Sequence, residues 1–581
     1  RASAASPGMR HRPSRQPLNS PSGTRGGECS RRKVRFGTYI GLSALAVFFV
    51  ATLFLFSSNE EPQDDGEVAM EKRVRVATWN IAAINNNPFE YWITSDDPEY
   101  TVLMDSVTKL INDPGVLDKE VGDVFKPQMA AELLEMMQQQ GWQGTDEALH
   151  LYETDYKHRR VISGFLKDKN IGSKRLVSMP DRITNTINLA NGAIAYRPTV
   201  VSCYDRKWDG LDDWWQQWKQ FMFTSKITVD QDQGPVSVAS LLVPINRFKY
   251  PALTEEEGKI SIPLQTVVIG IFDATLAYML QEVAGATWQD LRAKMCAGLN
   301  LRKVPRTIDI LADTYKDRDV LFVQEASSAF VLRAKRDSRI GDRYFVLAPA
   351  KMDSRRDQNS LILLRKQAFK VASATELTAL VEEQLKGKGA PVSDGDIFAI
   401  RVDDVFGREY VLASFHGDTN GLATMPVTLA LHEVMRKTFP NVRLIFGLDA
   451  NTYNKGSEKK QGVTEFHASF TANGMKSCWG HSVPLGNVTT FNARTYLQPQ
   501  LNKAIPAAQR GVKGDRNPKD FILFYKHHFH ELATFKDNTG RRTYTENMVF
   551  PTLDFPSDHG ILGTDLLILQ DEVAHEDDDA Q

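Results

Sequence analysis

Acids, amides and imidazoles stand at the ends of several short apolar runs in this 581-residue chain. The set comprises Asn80, Glu325, His416, Asp449, Asn451, Asp520, Asp558 and His559. Carboxylate and amide oxygens suit Mg²⁺ or Mn²⁺ better than zinc. An imidazole oriented by a carboxylate can exchange a proton near neutral pH. Because a divalent cation neutralises charge that builds up on a reacting phosphate, these residue types indicate metal-assisted phosphate chemistry.

The apolar runs that carry these residues have the length and flanking polar residues of strands. They are VRVATW (74–79), DVLFVQ (319–324), YFVLAP (344–349), SLILL (360–364), DIFAIRV (396–402), YVLASF (410–415), VRLIFGL (442–448), DFILFY (520–525) and GILGTDLLIL (560–569). Helical patterns at 127–139, 377–385 and 426–437 stand between several of them. Alternation of strands and helices predicts a layered α/β domain, whose loops at the strand ends would carry the site.

Seven motifs along the chain point to a known family. VATWN, LFVQEAS, NSLILL, LASFH, LIFGLDANTY, KDFILF and FPSDHGIL resemble, in order, the motifs of the endonuclease/exonuclease/phosphatase superfamily, which has the DNase I-like fold. The resemblance covers residues 72–80 and about 317–569. It implies a four-layered α/β sandwich with two packed sheets and a metal-dependent phosphoester hydrolase site at one edge. Gly417, Gly447 and Lys519 depart from the family's pattern.

The resemblance also implies a metal site. Asn80 and Glu325 correspond to metal ligands, and Asp558 corresponds to a residue close to the metal. The expected ion is Mg²⁺ or Mn²⁺, as their oxygen atoms favour.

The remaining motif residues are expected to act on the substrate. By resemblance, His559 is the general base that activates water, and Asp520 orients it. Asp449 and Asn451 would position the water and the phosphate, and His416 would hydrogen-bond a phosphate oxygen.

A large insertion, at about 85–316, separates the first motif from the second. A structureless loop of that size is implausible, so we expect a mainly helical region with its own core. It contains seven of the nine tryptophans, at positions 92, 142, 208, 214, 215, 218 and 288. The run GLDDWWQQWKQFMF (210–223) predicts an amphipathic helix, whose aromatic face either packs against the main domain or meets a membrane or substrate. We expect the insertion to cover part of the cleft and to select the substrate, with Asn492 and Arg494 as further substrate contacts.

Residues 36–58 contain no charged side chain and are long enough to cross a bilayer as one helix. A cleaved signal peptide and a buried core helix are the alternatives, but the run is longer than the usual apolar region of a signal peptide. Basic residues precede the run and acidic residues follow it. This predicts a cytoplasmic N-terminus and a lumenal or extracellular body, with which the sequon at Asn487 is consistent.

The chain therefore divides into a disordered basic cytoplasmic tail (1–35), the transmembrane helix (36–58), an acidic linker (59–71), the interrupted catalytic domain (72–569) and an acidic tail (570–581). Residues 1–58 carry a net charge of +8, which leaves −10 on the remainder of a chain whose total is −2. An acidic body is not typical of a protein that binds nucleic acid mainly by neutralising phosphates. Four well-separated cysteines indicate neither a zinc site nor a disulfide framework.

These observations predict a membrane-anchored, divalent-metal-dependent phosphoester hydrolase. Its partners would be the bilayer and a phosphate ester, either a lipid head group or a small phosphoester. A nuclease of the same fold is the alternative within this class. A non-catalytic, membrane-tethered binding protein is the alternative of another class, because a fold does not determine function.

Overall fold

The computed structural model describes residues 72–353, 356–499, 501 and 504–570. The predicted basic tail (1–35), transmembrane helix (36–58) and acidic linker (59–71) lie outside the described residues. Of the predicted acidic tail, only Gln570 is described.

The described residues contain strands β1 to β16. Their bounds are β1 Arg73–Asn80, β2 Thr186–Asn188, β3 Ile194–Tyr196, β4 Lys226–Ile227, β5 Val236–Ser237, β6 Val320–Ala326, β7 Tyr344–Leu347, β8 Asn359–Arg365, β9 Phe369–Glu376, β10 Ile397–Asp404, β11 Glu409–His416, β12 Arg443–Asp449, β13 Met475–Ser477, β14 Asp520–Tyr525, β15 Phe529–Asp537 and β16 Ile561–Ile568.

Two six-stranded sheets form the centre of the protein. Sheet 1 has the order β15-β16-β1-β6-β8-β7, and sheet 2 has the order β13-β14-β12-β11-β10-β9. Within them, β1 runs parallel to β6 and β11 runs parallel to β12, and the other pairs are antiparallel. The short strands β2 to β5 form two separate hairpin-like pairs within the insertion.

Helices surround the sheets. The α-helices are Pro98–Asn112, Val121–Val124, Pro127–Gln139, Thr145–Thr154, Lys169–Ser173, Ser178–Thr184, Gly210–Lys219, Glu255–Lys259, Ser261–Ala284, Thr287–Cys296, Lys303–Asp309, Ser328–Arg336, Ser338–Gly341, Thr378–Leu385, Thr424–Thr438, Val463–Ala472 and Arg510–Lys513. Short π-helical turns extend three of these helices, at Gln220–Thr224, Ala297–Leu301 and Ile310–Thr314, and a fourth stands by itself at Val161–Leu166.

The two sheets pack face to face. Val76 and Phe322 of sheet 1 share a buried apolar cluster with Ile400 and Ile445 of sheet 2. The sheets approach most tightly at Gly447, where an added Cβ would lie 2.3 Å from the Phe322 ring. A side chain at this position of β12 would therefore push the sheets apart, which explains why the motif has glycine there.

Each sheet is covered on its outer face. The helices Thr378–Leu385, Thr424–Thr438 and Val463–Ala472 bury their apolar sides against sheet 2. The outer face of sheet 1 shares one continuous core with the insertion, in which Trp79 stacks on Phe555. The architecture is thus a mixed α/β sandwich of helix, sheet, sheet and helix layers, as the resemblance implied.

The insertion has a core of its own, built around the helix Ser261–Ala284. Within the described residues, this is the one helix long and apolar enough to cross a membrane, but most of it is buried inside the protein. Trp214, Trp215 and Trp218 are also buried. The predicted helix is found at Gly210–Lys219, and the contacts of its tryptophans lie within the insertion, at Glu132, Pro198 and Asp273, rather than on the main domain. Since these side chains are buried, the interpretation of this face as a membrane surface is wrong.

A buried ionic network crosses this core. Arg197 contacts Asp273 at 2.8 Å and Asp181 at 2.7 Å, and both Arg197 and Asp273 are fully buried. Thr199 and the Trp218 indole also donate to Asp273. Burial alone would lower the pKa of Arg197, but the two carboxylates outweigh it and raise that pKa. Such a network is costly to disrupt, because each remaining charge would be left without its partner.

Cys203 and Cys296 form a disulfide in the insertion, with their Cα atoms 5.6 Å apart. The sequence-based expectation of no disulfide was therefore wrong. The two residues are 93 positions apart, and only the folded insertion brings them together. Spacing along the chain carries no signal for such a pair.

Candidate active site

Strand register brings the predicted residues to one edge of the two sheets. His416 at the end of β11 lies beside Asp449 at the end of the parallel strand β12. Asp449 in turn pairs with Asp520, which begins the antiparallel strand β14. Asn80 ends β1 and pairs with Gln324, the residue before Glu325 on β6. The ends of neighbouring strands thus meet at one edge, which is where ligand sites of open α/β sheets lie.

An amide links the two sheets at this edge. The Asn80 Nδ2 atom donates to Glu325 Oε1 and to Asp449 Oδ2, at 2.9 Å in both cases. Its Oδ1 accepts from the backbone N–H of Ala82 at 2.8 Å. Asn80 therefore orients the carboxylates of Glu325 and Asp449, and in this arrangement its nitrogen faces them.

Glu325 is held in an unusual backbone conformation. Its φ of 55° lies in the left-handed region, at a register shift of β6 between Val323 and Ala326. Non-glycine residues in this region are typical of functional sites. Burial alone would raise the pKa of the Glu325 carboxyl, but His416, the Asn80 amide and the Ala83 N–H lower it to about 2. The side chain is therefore an anion at neutral pH.

His559 is bound by carboxylates on both ring nitrogens. Its Nδ1 lies 3.0 Å from Asp520 Oδ2, and its Nε2 lies 3.6 Å from Asp449 Oδ2. Burial alone would lower the pKa of His559, but Asp449 and Asp520 outweigh it and raise it to about 10. Without a counter-charge at these carboxylates, the imidazole is positively charged.

Backbone contacts fix the two partners of this pair. Thr489 Oγ1 accepts from the backbone N–H groups of Lys519 and Asp520, and the Trp479 indole donates to the Asp520 carbonyl. Ser557 Oγ accepts from the His559 N–H at 3.1 Å and donates to the Asn80 carbonyl at 2.6 Å. The imidazole and its carboxylate are thus held by hydrogen bonds from neighbouring segments of the chain.

His416 joins the same group of side chains. Its Nε2 lies 3.2 Å from Glu325 Oε1 and 3.7 Å from Asp449 Oδ2. We use the name strand-end cluster for Asn80, Glu325, His416, Asp449, Asp520 and His559.

The departures from the family's pattern have local explanations. Lys519 Nζ donates to Asn451 Oδ1 at 3.1 Å and to Asp515 at 2.7 Å, so this lysine positions Asn451. Asn451 Nδ2 donates to the Gly417 carbonyl at 3.1 Å. An added Cβ on Gly417 would lie 2.9 Å from Thr424 Oγ1, so the tight packing at this turn favours glycine.

Asp558 lies at the rim of the cluster with the two predicted substrate contacts. Its Oδ2 accepts from Asn492 Nδ2 and from the Tyr91 hydroxyl, both at 3.3 Å. Arg494 forms an ion pair with Glu90, and its guanidinium lies over the Tyr91 ring. The structure therefore brings all ten predicted site residues to one region.

The donor set of the strand-end cluster fits a divalent cation. Ligand atoms of Glu325, His416 and Asp449 all lie within 4.8 Å of one another, and the same holds for Asp449, Asp520 and His559. Carboxylate oxygens dominate both groups, which favours a hard cation.

Two cavities meet at the cluster. The outer cleft, of about 950 Å³, contains His416, Asp449, Asn451 and His559 along its floor. The inner chamber, of about 640 Å³, lies between the segment after β1 and the insertion, and its wall includes Lys303. The two share Tyr91, Glu325, Gln358, Arg494 and Asp558. A substrate bound at the cluster can therefore extend into either cavity.

Sequence reasoning did not identify Tyr91, Lys303 or Lys519 as site residues. Lys519 was visible only as a departure from a motif. Tyr91 lies in the segment INNNPFEYW (84–92), a polar run that could line the site as a whole but indicated no particular residue. Lys303 lies 222 positions after Ile81, the residue that follows Asn80. It reaches the chamber only through the fold of the insertion, so the sequence around it did not indicate a site residue.

Comparisons with known proteins cover the insertion and the sandwich separately. Residues 118–293 match a domain of unknown function (DUF8234). No curated protein matches the chain.

Solved structures of endonuclease/exonuclease/phosphatase proteins match a little under half of the chain. The human Nocturnin catalytic domain with bound sulfate is 15% identical, with 47% of this chain and 88% of that one covered and a TM-score of 0.31. D. rerio TDP2 with a single-strand DNA product is 15% identical, with 45% and 90% covered and a TM-score of 0.30. ANGEL2, a 2',3'-cyclic phosphatase bound to adenosine-2',3'-vanadate, is 12% identical, with 46% and 86% covered and a TM-score of 0.32.

Proposed function

We propose that this protein is a divalent-metal-dependent phosphoester hydrolase, with Mg²⁺ or Mn²⁺ as its cofactor. The observation that carries the proposal is the contact of His559 with Asp520 on one nitrogen, while its other nitrogen faces Asp449 and the outer cleft. A base needs an orienting partner and an open side toward its substrate, and His559 has both. The non-catalytic alternative gives no reason for this arrangement.

In the proposed reaction, a water oxygen forms a new bond to phosphorus. The proton of that water passes to His559 Nε2, while Asp520 holds Nδ1 and stabilises the imidazolium that results. The bond from phosphorus to the leaving oxygen breaks, and its electron pair stays on that oxygen, which takes up a proton. His416 and Asn451 would hold phosphate oxygens, since both line the outer cleft.

The residues proposed to hold the cation are Glu325 and Asp449, with Asn80 and Asp558 beside them. Bound there, a divalent cation would neutralise phosphate charge and part of the carboxylate charge around His559, which favours the neutral imidazole that can accept a proton.

A substrate panel tests this function. Purified protein with Mg²⁺ is incubated with plasmid DNA, an oligoribonucleotide, sphingomyelin and inositol phosphates, and product release is measured. We expect hydrolysis of at least one of them. Asp558→Ala and His559→Ala should abolish that hydrolysis, and thermal unfolding should show that both variants remain folded.

Two results would contradict the proposal. One is full activity in both folded variants. The other is the absence of hydrolysis across the panel and across simple phosphate esters, in which case the binding-protein alternative would stand.

A nuclease is the second candidate, because the rim of the outer cleft is basic. Lys455, Lys460, Lys513 and Arg516 all border this cleft. A basic rim can hold a polyanion even on an acidic body. Preferential cleavage of the oligoribonucleotide or of plasmid DNA, falling steeply with added salt, would favour it.

We further propose that residues 36–58 anchor the protein and that the catalytic body is lumenal or extracellular. The charge asymmetry around the segment supports this orientation. The disulfide Cys203–Cys296 also supports it, because disulfides persist mainly in oxidising compartments. Asn487 is exposed, as a glycosylated residue must be. Endoglycosidase treatment of the protein from membranes should reduce its apparent mass, and protease should digest the body of the protein in intact vesicles only after they are permeabilised.

A further inference from the structure

The inner chamber has one wall that belongs entirely to the insertion. Arg175, Ser178, Arg182 and Lys303 all line it, and Glu325 and Asp558 of the reaction site line the same chamber. Ser178 and Arg182 lie one helical turn apart on the helix Ser178–Thr184, and Lys303 begins a separate helix. Three cations from different parts of the insertion thus face one cavity, and we call this surface the basic wall.

The cations of the basic wall have no carboxylate partners. Within the described part of the chain, Arg175, Arg182 and Lys303 make no ion pair. Lys303 Nζ donates to the Pro556 carbonyl at 2.8 Å, and its side chain is buried. Burial lowers the pKa of Lys303 to about 8, and the carboxylates of Asp558 and Glu325 oppose that shift.

Two of the four acids that line the chamber are paired with other arginines. Glu90 is paired with Arg494, and Asp181 is paired with Arg197. The remaining acids are Glu325 and Asp558, which we assign to the cation at the reaction site. The basic wall therefore keeps a positive charge that a ligand can neutralise.

Two buried polar atoms of the wall also have no hydrogen-bond partner. They are Arg175 Nε and Ser178 Oγ. Ser178 is only 6% exposed, so its hydroxyl cannot rely on bulk water. Buried polar groups in folded proteins are nearly always paired, so these two atoms are exceptions among the described residues.

We propose, on the basis of the hydrolase function above, that the basic wall binds a second phosphate group of the substrate. The scissile phosphate then lies at the strand-end cluster, and the body of the substrate spans the chamber. The substrate class is a compact phosphate ester with at least two phosphate groups. A chamber of about 640 Å³ is within the range of small-molecule sites.

Pairs of simple esters test this proposal. Phosphate release is measured for propane-, butane-, pentane- and hexanediol bisphosphates and for the corresponding alkyl monophosphates, which present the same scissile bond. Hydrogen bonds to charged groups are strong enough for about a tenfold effect or more. We therefore expect kcat/KM for at least one diol bisphosphate to exceed that of its matched monophosphate by about tenfold.

Variants of the wall should remove this preference. Arg182→Gln and Lys303→Met should each bring the ratio of the two kcat/KM values down by about tenfold, mainly through KM. Arg302→Gln is the matched control, because Arg302 is an exposed insertion residue that does not line the chamber. Since Arg182 is exposed, Arg182→Gln keeps the test valid if the buried Lys303→Met variant does not fold.

The outcomes separate the two proposals. If the protein hydrolyses neither the substrates of the panel nor any member of a pair, the hydrolase function fails. If it hydrolyses a substrate of the panel but neither member of any pair, the hydrolase function stands and the second phosphate site is wrong. If it hydrolyses monophosphates but shows no preference for a bisphosphate, the hydrolase function stands and the second phosphate site is wrong. A preference that survives both Arg182→Gln and Lys303→Met would also overturn the site.

Discussion

The strand-end cluster and the basic wall differ in whether their polar side chains have ion-pair or hydrogen-bond partners. In the strand-end cluster, Asn80, Glu325 and Asp449 bind one another, and His559 binds Asp520. In the basic wall, Arg175, Arg182 and Lys303 form no ion pair with any described residue, and Ser178 Oγ has no hydrogen-bond partner among them. The cluster is thus organised before any substrate arrives, whereas the wall is completed only by a ligand. We infer that the sheets carry the reaction and that the insertion carries the selection of substrate.

Among the substitutions that test this comparison, we expect the one at Asp520 to have the largest effect on kcat. Asp520→Asn keeps the size of the side chain but removes the charge that orients and stabilises the His559 imidazolium. General-base catalysis contributes about 10²–10⁴-fold, so kcat should fall within that range on the best substrate of the panel.

The same substitution at Asp565 is the control. Asp565 lies on β16 and pairs with Arg318, away from both cavities. Its variant should keep its kcat. Equal kcat values for wild type and a folded Asp520→Asn variant would show that the imidazole needs no orienting carboxylate, and the cluster would lose its assigned role.

The next effect concerns the stability of the insertion rather than the reaction. Asp273→Asn leaves the buried Arg197 with Asp181 as its one ion-pair partner in the described residues. Removing one member of a buried pair costs about 3–5 kcal/mol of unfolding free energy. Denaturant unfolding should show this loss, while kcat per folded molecule should be unchanged.

Asp290→Asn provides a surface comparison. Its partner is Lys207, and both side chains are well exposed, so the loss should be about 0–1 kcal/mol. Similar losses for the two variants would mean that the buried network does not hold the insertion together.

The smallest effect is expected at Ser178. Ser178→Ala removes a buried hydroxyl that has no hydrogen-bond partner, so the unfolding free energy should change by less than about 0.5 kcal/mol. Ser414→Ala removes an equally buried hydroxyl that accepts from Gln324 at 3.0 Å, and should cost about 1 kcal/mol or more. A larger loss at Ser178 than at Ser414 would show that the Ser178 hydroxyl is already satisfied without a ligand.

The central strands could be predicted because each is a short, nearly continuous apolar run. All nine predicted runs are strands, and the helix Pro127–Gln139 has the predicted bounds. The long strands missed were β9 and β15, which lie at sheet edges. Edge strands have solvent-exposed polar residues, so FKVASATE and FHELATFKD lack a strong apolar pattern.

The residues of the candidate site could likewise be predicted where they lie beside a predicted strand, but not where they lie in the insertion. Asn80, Glu325, Asp449 and His559 follow or precede predicted strands, so their order along the chain already indicated that they would meet at one edge. The basic wall could not be predicted, because Arg175, Ser178 and Lys303 reach the chamber through packing of an insertion with no familiar motif. Pairing of Cys203 with Cys296 was missed for the same reason.

The most direct test of the central claim is hydrolysis after removal of metal. The protein is treated with EDTA, and turnover of its best substrate is measured before and after addition of Mg²⁺ or Mn²⁺, in parallel with Glu325→Gln. The account predicts that wild type loses activity with EDTA and regains it with either cation, and that Glu325→Gln, which lacks the carboxylate at the centre of the cluster, requires far more cation or stays inactive. Full activity of EDTA-treated wild type, or a cation requirement in Glu325→Gln equal to that of wild type, would contradict it.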